Sequence, residues 1–291
     1  MTDYDYDLLV IGSGPAGQRA AIQAAKLNKR VAVVERKTIL GGVCINTGTI
    51  PSKTLREAVM HLSGYREHSL YGASYTVKQN ITMSDLLYRT EHVIQHELDI
   101  VRHQLQRNRV ELLSAEASFL DANTIRLKSV DGHGWRDVTA ANVVIATGTS
   151  ATKSDRVPLD GKRIFLSDDL LQIDHLPRTL TVVGAGVIGL EYACIFAALG
   201  VRVTVIDKRR RLLPFVDAEI MDSLTYHLNQ QRAIFRLGEE VKEIEPINDE
   251  NGERVRITLA SGKQIVTEMA LYSIGRTGAT KSLGTEAVGL E

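Results

Sequence analysis

Two sets of residues have the types and spacing for nucleotide chemistry. Gly12, Gly14 and Gly17 form a G-x-G-x-x-G pattern, and Glu35 follows about 20 residues later. Gly184, Gly186 and Gly189 repeat it about 170 residues further on, with Asp207 at a similar distance. In such a set one glycine permits a tight turn, the next lets the backbone approach a pyrophosphate, and the third lets helix and strand pack closely. Free N–H groups and the positive dipole end of the helix then favour the anion, and the acid suits an adenosine ribose hydroxyl. Asp207 favours the free 2'-hydroxyl of NAD, yet Lys208, Arg209, Arg210 and Arg211 follow at once, and guanidinium groups suit a 2'-phosphate. Either the second site tolerates both NAD and NADP, or the basic run is a solvated loop.

A glycine pattern alone is weak, so the elements around it decide its meaning. Residues 6–11 (YDLLVI) read as a strand, 15–27 as a helix, and 31–34 (VAVV) as a second strand ending at Glu35. The same order returns with strand 180–183, helix 184–199 and strand 201–206 ending at Asp207. Both patterns therefore fall between a strand and a helix, which weighs against a glycine turn that binds nothing. Between the copies, 51–62 reads as a helix with Pro51 in its first turn. Residues 84–107 read as a long amphipathic helix with early acidic residues and a seam of Leu87, Ile94, Leu98, Val101 and Leu105. Residues 110–127 alternate like a small meander, 143–145 (VVI) read as a buried parallel strand, and strands dominate again over 239–273, with a turn at 248–252.

The expected fold class is α/β with two Rossmann-like units, each a parallel sheet with helices and a small antiparallel meander. The polar stretch containing Pro158 and Gly161 places a boundary near residue 150. That gives a first dinucleotide-binding domain over 1–150, a second over 151–275, and the start of a return to the first domain over 276–291. With 291 residues and 44% apolar content, two cores are the natural expectation. Lys+Arg and Asp+Glu both number 35, so no net field draws the chain to nucleic acid or to an anionic membrane surface. The acidic start at 1–7 lacks a basic leader, and every apolar run is interrupted short of about 20 residues. A soluble cytoplasmic protein acting on small molecules is expected. Cys44 and Cys194 are too few for a disulfide framework.

The segment 41–53 (GGVCINTGTIPSK) resembles the two-dinucleotide-binding flavoprotein disulfide reductases, the family of dihydrolipoamide dehydrogenase. GSGPAG at 12–17, ATGT at 146–149, GAGVIGLEYA at 184–193 and the Gly275–Arg276 pair extend the likeness along the chain. The resemblance implies that the first turn binds FAD, with Gly12, Gly14, Pro15, Ala16, Gly17, Glu35, Arg36, Gly41, Gly42, Cys44, Thr49, Lys53, Ala117, Thr147 and Gly148 around it. It implies that the second binds the nicotinamide dinucleotide through Gly184, Gly186, Val187, Gly189, Asp207, Lys208, Arg209, Gly275 and Arg276. Lys53 and Glu191, as a pair beside the flavin, are the implied catalytic residues, and Val187 matches a position that shields the vacant nicotinamide pocket.

One departure bears on the reaction. The family's first redox cysteine is matched by Cys44, but its second falls on Thr49. A dithiol relay needs a second sulfur, and Cys194, on a helix, reads as a small buried hydrophobe. The stretch 47–59 (TGTIPSKTLREAV) is similar to the soluble pyridine nucleotide transhydrogenases within the family. This implies FAD-dependent hydride transfer between nicotinamide nucleotides, NADPH + NAD+ = NADP+ + NADH. A non-catalytic nucleotide-binding fragment, an NAD(P)H diaphorase or oxidase, and a dihydrolipoamide dehydrogenase-like flavoprotein stand as alternatives. The family normally continues into a C-terminal dimerisation domain, so the chain reads as an N-terminal portion, with a homo-oligomer expected of the whole. His92, His96 and His103 fall off the helix seam with no third ligand and read as a solvated face, not a metal site. Asp168 and Asp169 read as helix caps.

Overall fold

The computed structural model describes residues 4–72, 74–132, 134–250 and 252–290. In chain order the elements are β1 (Leu8–Ile11), α1 (Pro15–Lys26), β2 (Val31–Glu35), α2 (Gly42–Asn46), α3 (Thr49–Leu62), α4 (His68–Tyr71) and α5 (Met83–Arg107). Strands β3 (Glu111–Phe119), β4 (Thr124–Ser129), β5 (Trp135–Thr139), β6 (Val143–Ile145), β7 (Thr149–Ala151), β8 (Ile164–Leu166) and β9 (Thr179–Val183) follow. Then come α6 (Val187–Ala198), β10 (Arg202–Asp207), α7 (Ala218–Gln230), β11 (Ile234–Leu237), β12 (Val241–Asp249), β13 (Gly252–Leu259), β14 (Gln264–Thr267), β15 (Met269–Tyr272) and β16 (Arg276–Gly278). The 248–252 turn expected from the sequence includes Asn251, which lies outside the described residues, as does the start of the acidic 1–7 segment.

The chain divides into two compact units. The first takes the chain up to Pro51, His92–Ser150 and the chain from Thr277; the second takes Ser52–Glu91 and Ala151–Arg276. In the first, the sheet order is β5-β4-β3-β2-β1-β6. Strands β3, β2, β1 and β6 are parallel, and β3 runs on to pair antiparallel with β4, which pairs with β5. The meander is thus an extension of the parallel sheet. Continuous apolar runs suit strands covered on both faces, and alternation sends Leu9, Ile11, Ala32 and Val34 to one core and Val10, Val31 and Val33 to the other.

The second unit has an all-parallel sheet, β11-β10-β9-β15-β8, and a separate antiparallel sheet, β12-β13-β14. Its helix α6 buries Leu190, Tyr192, Ala193, Ile195, Phe196 and Ala197, so it is apolar on nearly every side and needs cover beyond the sheet. That cover explains why residues 52–91, assigned to the first domain from sequence, pack here: Leu55, Ala58, Val59, Met83 and Leu86 share a core with Leu190 and Phe196.

Helix α5 consequently serves two cores. Met83 and Leu86 join that of the second unit, and Leu98, Val101 and Leu105 join one in the first. The expected seam holds over its later turns, whereas early on Leu86 and Thr90 are the buried positions and Leu87 is only partly covered. Its start is a reciprocal capping box: the Asp85 N–H donates to Thr82 Oγ1 at 3.3 Å, and the Thr82 N–H donates to the Asp85 carboxylate at 2.9 Å. Among the described residues no helix is long and apolar enough to cross a membrane.

Candidate nucleotide sites

The two glycine turns are built alike. Gly12 has φ +108, and a Cβ there would lie 2.3 Å from the carbonyl oxygen of Ala146, at the end of the neighbouring β6. A Cβ on Gly17 would lie 2.0 Å from the carbonyl oxygen of Gly12. Their counterparts are Gly184, at φ +104 and 2.2 Å from the oxygen of Ser273, and Gly189, at 2.0 Å from the oxygen of Gly184. These four positions are held to glycine by the protein's own backbone.

Gly14 and Gly186 differ. Gly14 has φ −66 and ψ 176, Gly186 has φ −77 and ψ −179, and at either one a Cβ would find no atom within 4 Å. Neither conformation nor crowding requires glycine there, so each leaves an open cradle in front of a helix N-terminus. Both helices begin without a side-chain cap, whereas Asp217 caps α7 by accepting from the Glu219 N–H at 3.2 Å. The first N–H groups of α1 and α6 thus face the cradle with no intrahelical acceptor. A pyrophosphate fits this donor set.

The acids at the ends of β2 and β10 lock the turns. Ser13, wholly buried, donates its N–H to Glu35 at 3.1 Å and its hydroxyl to the same oxygen at 2.6 Å, while the Lys37 N–H donates to the other oxygen at 2.9 Å. In the second unit the Ala185 N–H donates to Asp207 at 2.7 Å. The Arg209 N–H, Nε and terminal nitrogen reach the Asp207 carboxylate at 2.8, 2.9 and 2.7 Å. Burial pushes the Asp207 carboxyl up, but the Arg209 guanidinium and the two backbone donors outweigh it and hold the group below the ordinary carboxylate range.

Around the first turn lies a cavity of about 270 Å³. Of the residues expected there, Gly12, Gly14, Pro15, Ala16, Glu35, Arg36, Gly42, Cys44, Ala117, Thr147 and Gly148 line it. Gly17 sits beneath the turn, and the Gly41 N–H donates to Ser13 Oγ at 3.0 Å. Thr49 opens α3 and is not among the lining residues. Sequence reasoning passed over Ser13, although its place between two motif glycines was a signal; Ala279 and Ser282 also line the cavity, and no local pattern marks them.

The second turn opens on a cavity of about 740 Å³ lined by Gly184, Gly186, Val187, Asp207, Lys208, Arg209 and Gly275. Val187 is 57% exposed although it begins a buried helix, so it is not the core residue that a valine usually is. Arg156 and Lys242 add cations that the sequence did not flag. Arg276 does not line this cavity: it grips Asp168 with two guanidinium nitrogens at 2.8 and 3.2 Å. Asp168 is therefore an ion-pair partner and not a helix cap, and the Asp169 carboxylate accepts from the Leu166 N–H at 3.0 Å without capping the 3-10 turn that follows it.

Lys53 and Glu191 do meet. Lys53 Nζ lies 2.5 Å from Glu191 Oε1, and Ser52 Oγ donates to the same oxygen at 3.2 Å. The lysine is 59% exposed and the glutamate 20%, both within the second unit, and neither lines the two cavities described. Burial pushes the Cys194 thiol up, which keeps it from being the thiolate that exchange chemistry needs. Among the described residues no group of three or more His, Cys, Asp or Glu is gathered for a metal ion.

A parallel sheet, an uncapped glycine turn and an acid at the next strand end, occurring twice in one chain, define a protein with two dinucleotide-binding folds. The chain belongs to the pyridine nucleotide-disulphide oxidoreductase family, whose profile matches residues 6–291. It is 50% identical over 287 residues to a soluble pyridine nucleotide transhydrogenase of Mycobacterium bovis, covering 99% of this chain and 60% of the relative. Among solved structures it is similar to LpdA from Mycobacterium tuberculosis, with 26% identity and TM-score 0.86 over 98% of this chain and 62% of that one. It is also similar to the flavoprotein disulfide reductase RclA from Escherichia coli, with 27% identity and TM-score 0.82 over 98% and 60%. The chain thus spans about 60% of the length of the relatives it matches.

Proposed function

We propose that this chain holds FAD at its first glycine turn and NAD(H) or NADP(H) at its second, as part of a cytoplasmic enzyme that interconverts NADPH + NAD+ and NADP+ + NADH. The observation that carries the reading is the pair of open cradles at Gly14 and Gly186, in front of uncapped helix N-termini, where the protein's own packing does not demand glycine and a close-lying pyrophosphate would. The first turn would take the flavin pyrophosphate on the N-terminus of α1, with Glu35 receiving ribose hydroxyls. The second would take the nicotinamide dinucleotide on α6, with Val187 in the cavity wall. When bound, FAD supplies a two-electron carrier between successive nicotinamides.

Thr49 and the chemistry of Cys194 favour transfer between nicotinamides over disulfide reduction, because no second sulfur is paired with Cys44 in sequence. The name shared by relatives at 50% identity supports the same choice. Glu191 fixes the Lys53 ammonium; a role for that cation in flavin reduction is what the family resemblance implies. The visible spectrum of the purified chain tests this reading, taken before and after NADPH and then an NAD analogue without oxygen. Flavin absorbance that bleaches and recovers supports it. Flavin that bleaches but recovers only with a quinone or oxygen would make the protein a diaphorase or oxidase, and no flavin absorbance would leave a nucleotide-binding fragment.

A further inference from the structure

The Asp207 carboxylate is saturated. Its two oxygens offer about four lone-pair positions, and four donors fill them: Ala185 N–H and one guanidinium nitrogen on one oxygen, Arg209 N–H and Nε on the other. A ribose hydroxyl therefore has no place on Asp207 while the guanidinium is there. Among the described residues Glu35, the matching acid of the first unit, takes three donors, all neutral and two of them from Ser13.

Opening the clasp would require only the arginine side chain to move. The backbone of Arg209 is fixed at both polar groups, its N–H on Asp207 and its carbonyl accepting from the Gly238 N–H at 3.0 Å. Its side chain is 43% exposed, whereas that of Asp207 is 7% exposed. Rotating the arginine outward uncovers the acid without moving the chain. Left in place, the guanidinium spends two of its five N–H donors on Asp207, and among the described residues the other three are not engaged.

We propose that Arg209 is a two-position specificity switch. Clasped on Asp207, it cancels the acid's charge and presents its spare donors to the 2'-phosphate of NADP(H). Swung out, it yields Asp207 to the 2'-hydroxyl of NAD(H). One acid and one base thus serve both nucleotides, and the basic neighbours need not be the discriminating groups. This rests on the reading of the 740 Å³ cavity as the nicotinamide dinucleotide site.

Binding of adenosine 2',5'-bisphosphate and of 5'-AMP to the full chain, measured by calorimetry, tests the switch without any turnover, since the probes differ only in the 2'-phosphate. Arg209→Ala should weaken the bisphosphate by about tenfold or more, the scale of one charge-assisted hydrogen bond, and leave AMP unchanged or tighter because no clasp must open. Asp207→Asn should weaken AMP, whose 2'-hydroxyl loses its charged acceptor, and should weaken the bisphosphate less than Arg209→Ala does, because the guanidinium remains. Equal losses of both probes in Arg209→Ala, or no loss of either, would overturn the switch while leaving the site itself intact. Failure of the unaltered chain to bind either probe would remove the site assignment and the switch with it.

Discussion

The Ser13 hydroxyl donates to Glu35 at 2.6 Å while its oxygen accepts from the Gly41 N–H at 3.0 Å, so one buried side chain ties the glycine turn, the strand-end acid and the start of α2 together. In the second unit Ala185 stands at this place and cannot do so; there a solvent-facing guanidinium closes the acid instead. The first lock surrounds Glu35 with neutral, internal donors and leaves its charge uncancelled. The second cancels the charge of Asp207 with a half-exposed guanidinium. Ser13→Ala should cost about 1.5–3 kcal/mol, the worth of a hydrogen bond to a charged group. It should also lower flavin retention, read as the absorbance ratio after gel filtration. Unchanged retention would mean that Ser13 is only a fold element.

Glycine substitutions should separate folding from binding. Gly14→Val finds open space and an ordinary backbone, so its melting temperature should stay near that of the flavin-free unaltered chain while flavin is lost. Gly12→Ala meets backbone at 2.3 Å from a left-handed conformation and should destabilise by about 3 kcal/mol or more. Melting curves and flavin content on both variants check this; a yellow Gly14→Val would place the pyrophosphate elsewhere.

The Lys53–Glu191 pair is half in solvent, so its own contribution to stability should be about 0–1 kcal/mol. Lys53→Ala should therefore melt almost as before, yet slow the bleaching of bound flavin by NADPH about tenfold or more in stopped flow. Lys53→Arg should recover part of that rate. A large fall in melting temperature with no change in rate would make the pair structural.

Cys44 lines the first cavity, but no dithiol step is assigned to it. Cys44→Ser should leave NADPH-to-NAD transfer within about twofold, as expected of a near-isosteric change outside the chemistry. Loss of transfer would reveal a thiol step.

Asp85 tests the capping box of α5. The Lys78 ammonium, joined by the Thr82 N–H and hydroxyl, lowers its carboxyl from the ordinary 3.8 to about 2. A depressed folded-state value adds stability that is fully present above about 4 and lost as pH falls toward 2. Asp85→Asn should flatten the stability profile across that window in urea titrations, and an unchanged acid limb would deny the pair a role.

Much of this could be read without coordinates. The paired glycine patterns, the strands beside them and the acids at 35 and 207 are local, since strand and helix periodicities and the φ of a tight turn are written into neighbouring residues. Thr49 in place of a cysteine is likewise a fact of composition.

What the sequence could not assign depended on contacts between distant segments. Asp168 looked like a cap because its partner Arg276 is 108 positions away. Residues 52–91 looked like part of the first domain because, although the sequence of α6 is apolar on nearly every face, nothing local shows which distant segment covers it. Composition placed an acid and a base beside each other at 207 and 209, with opposite implications for the cofactor. Only the tertiary structure decided that they hold each other: the Ala185 N–H holds the Asp207 carboxylate at the β10 end, the Gly238 N–H of the β11–β12 turn holds the Arg209 carbonyl, and the guanidinium closes on the buried anion.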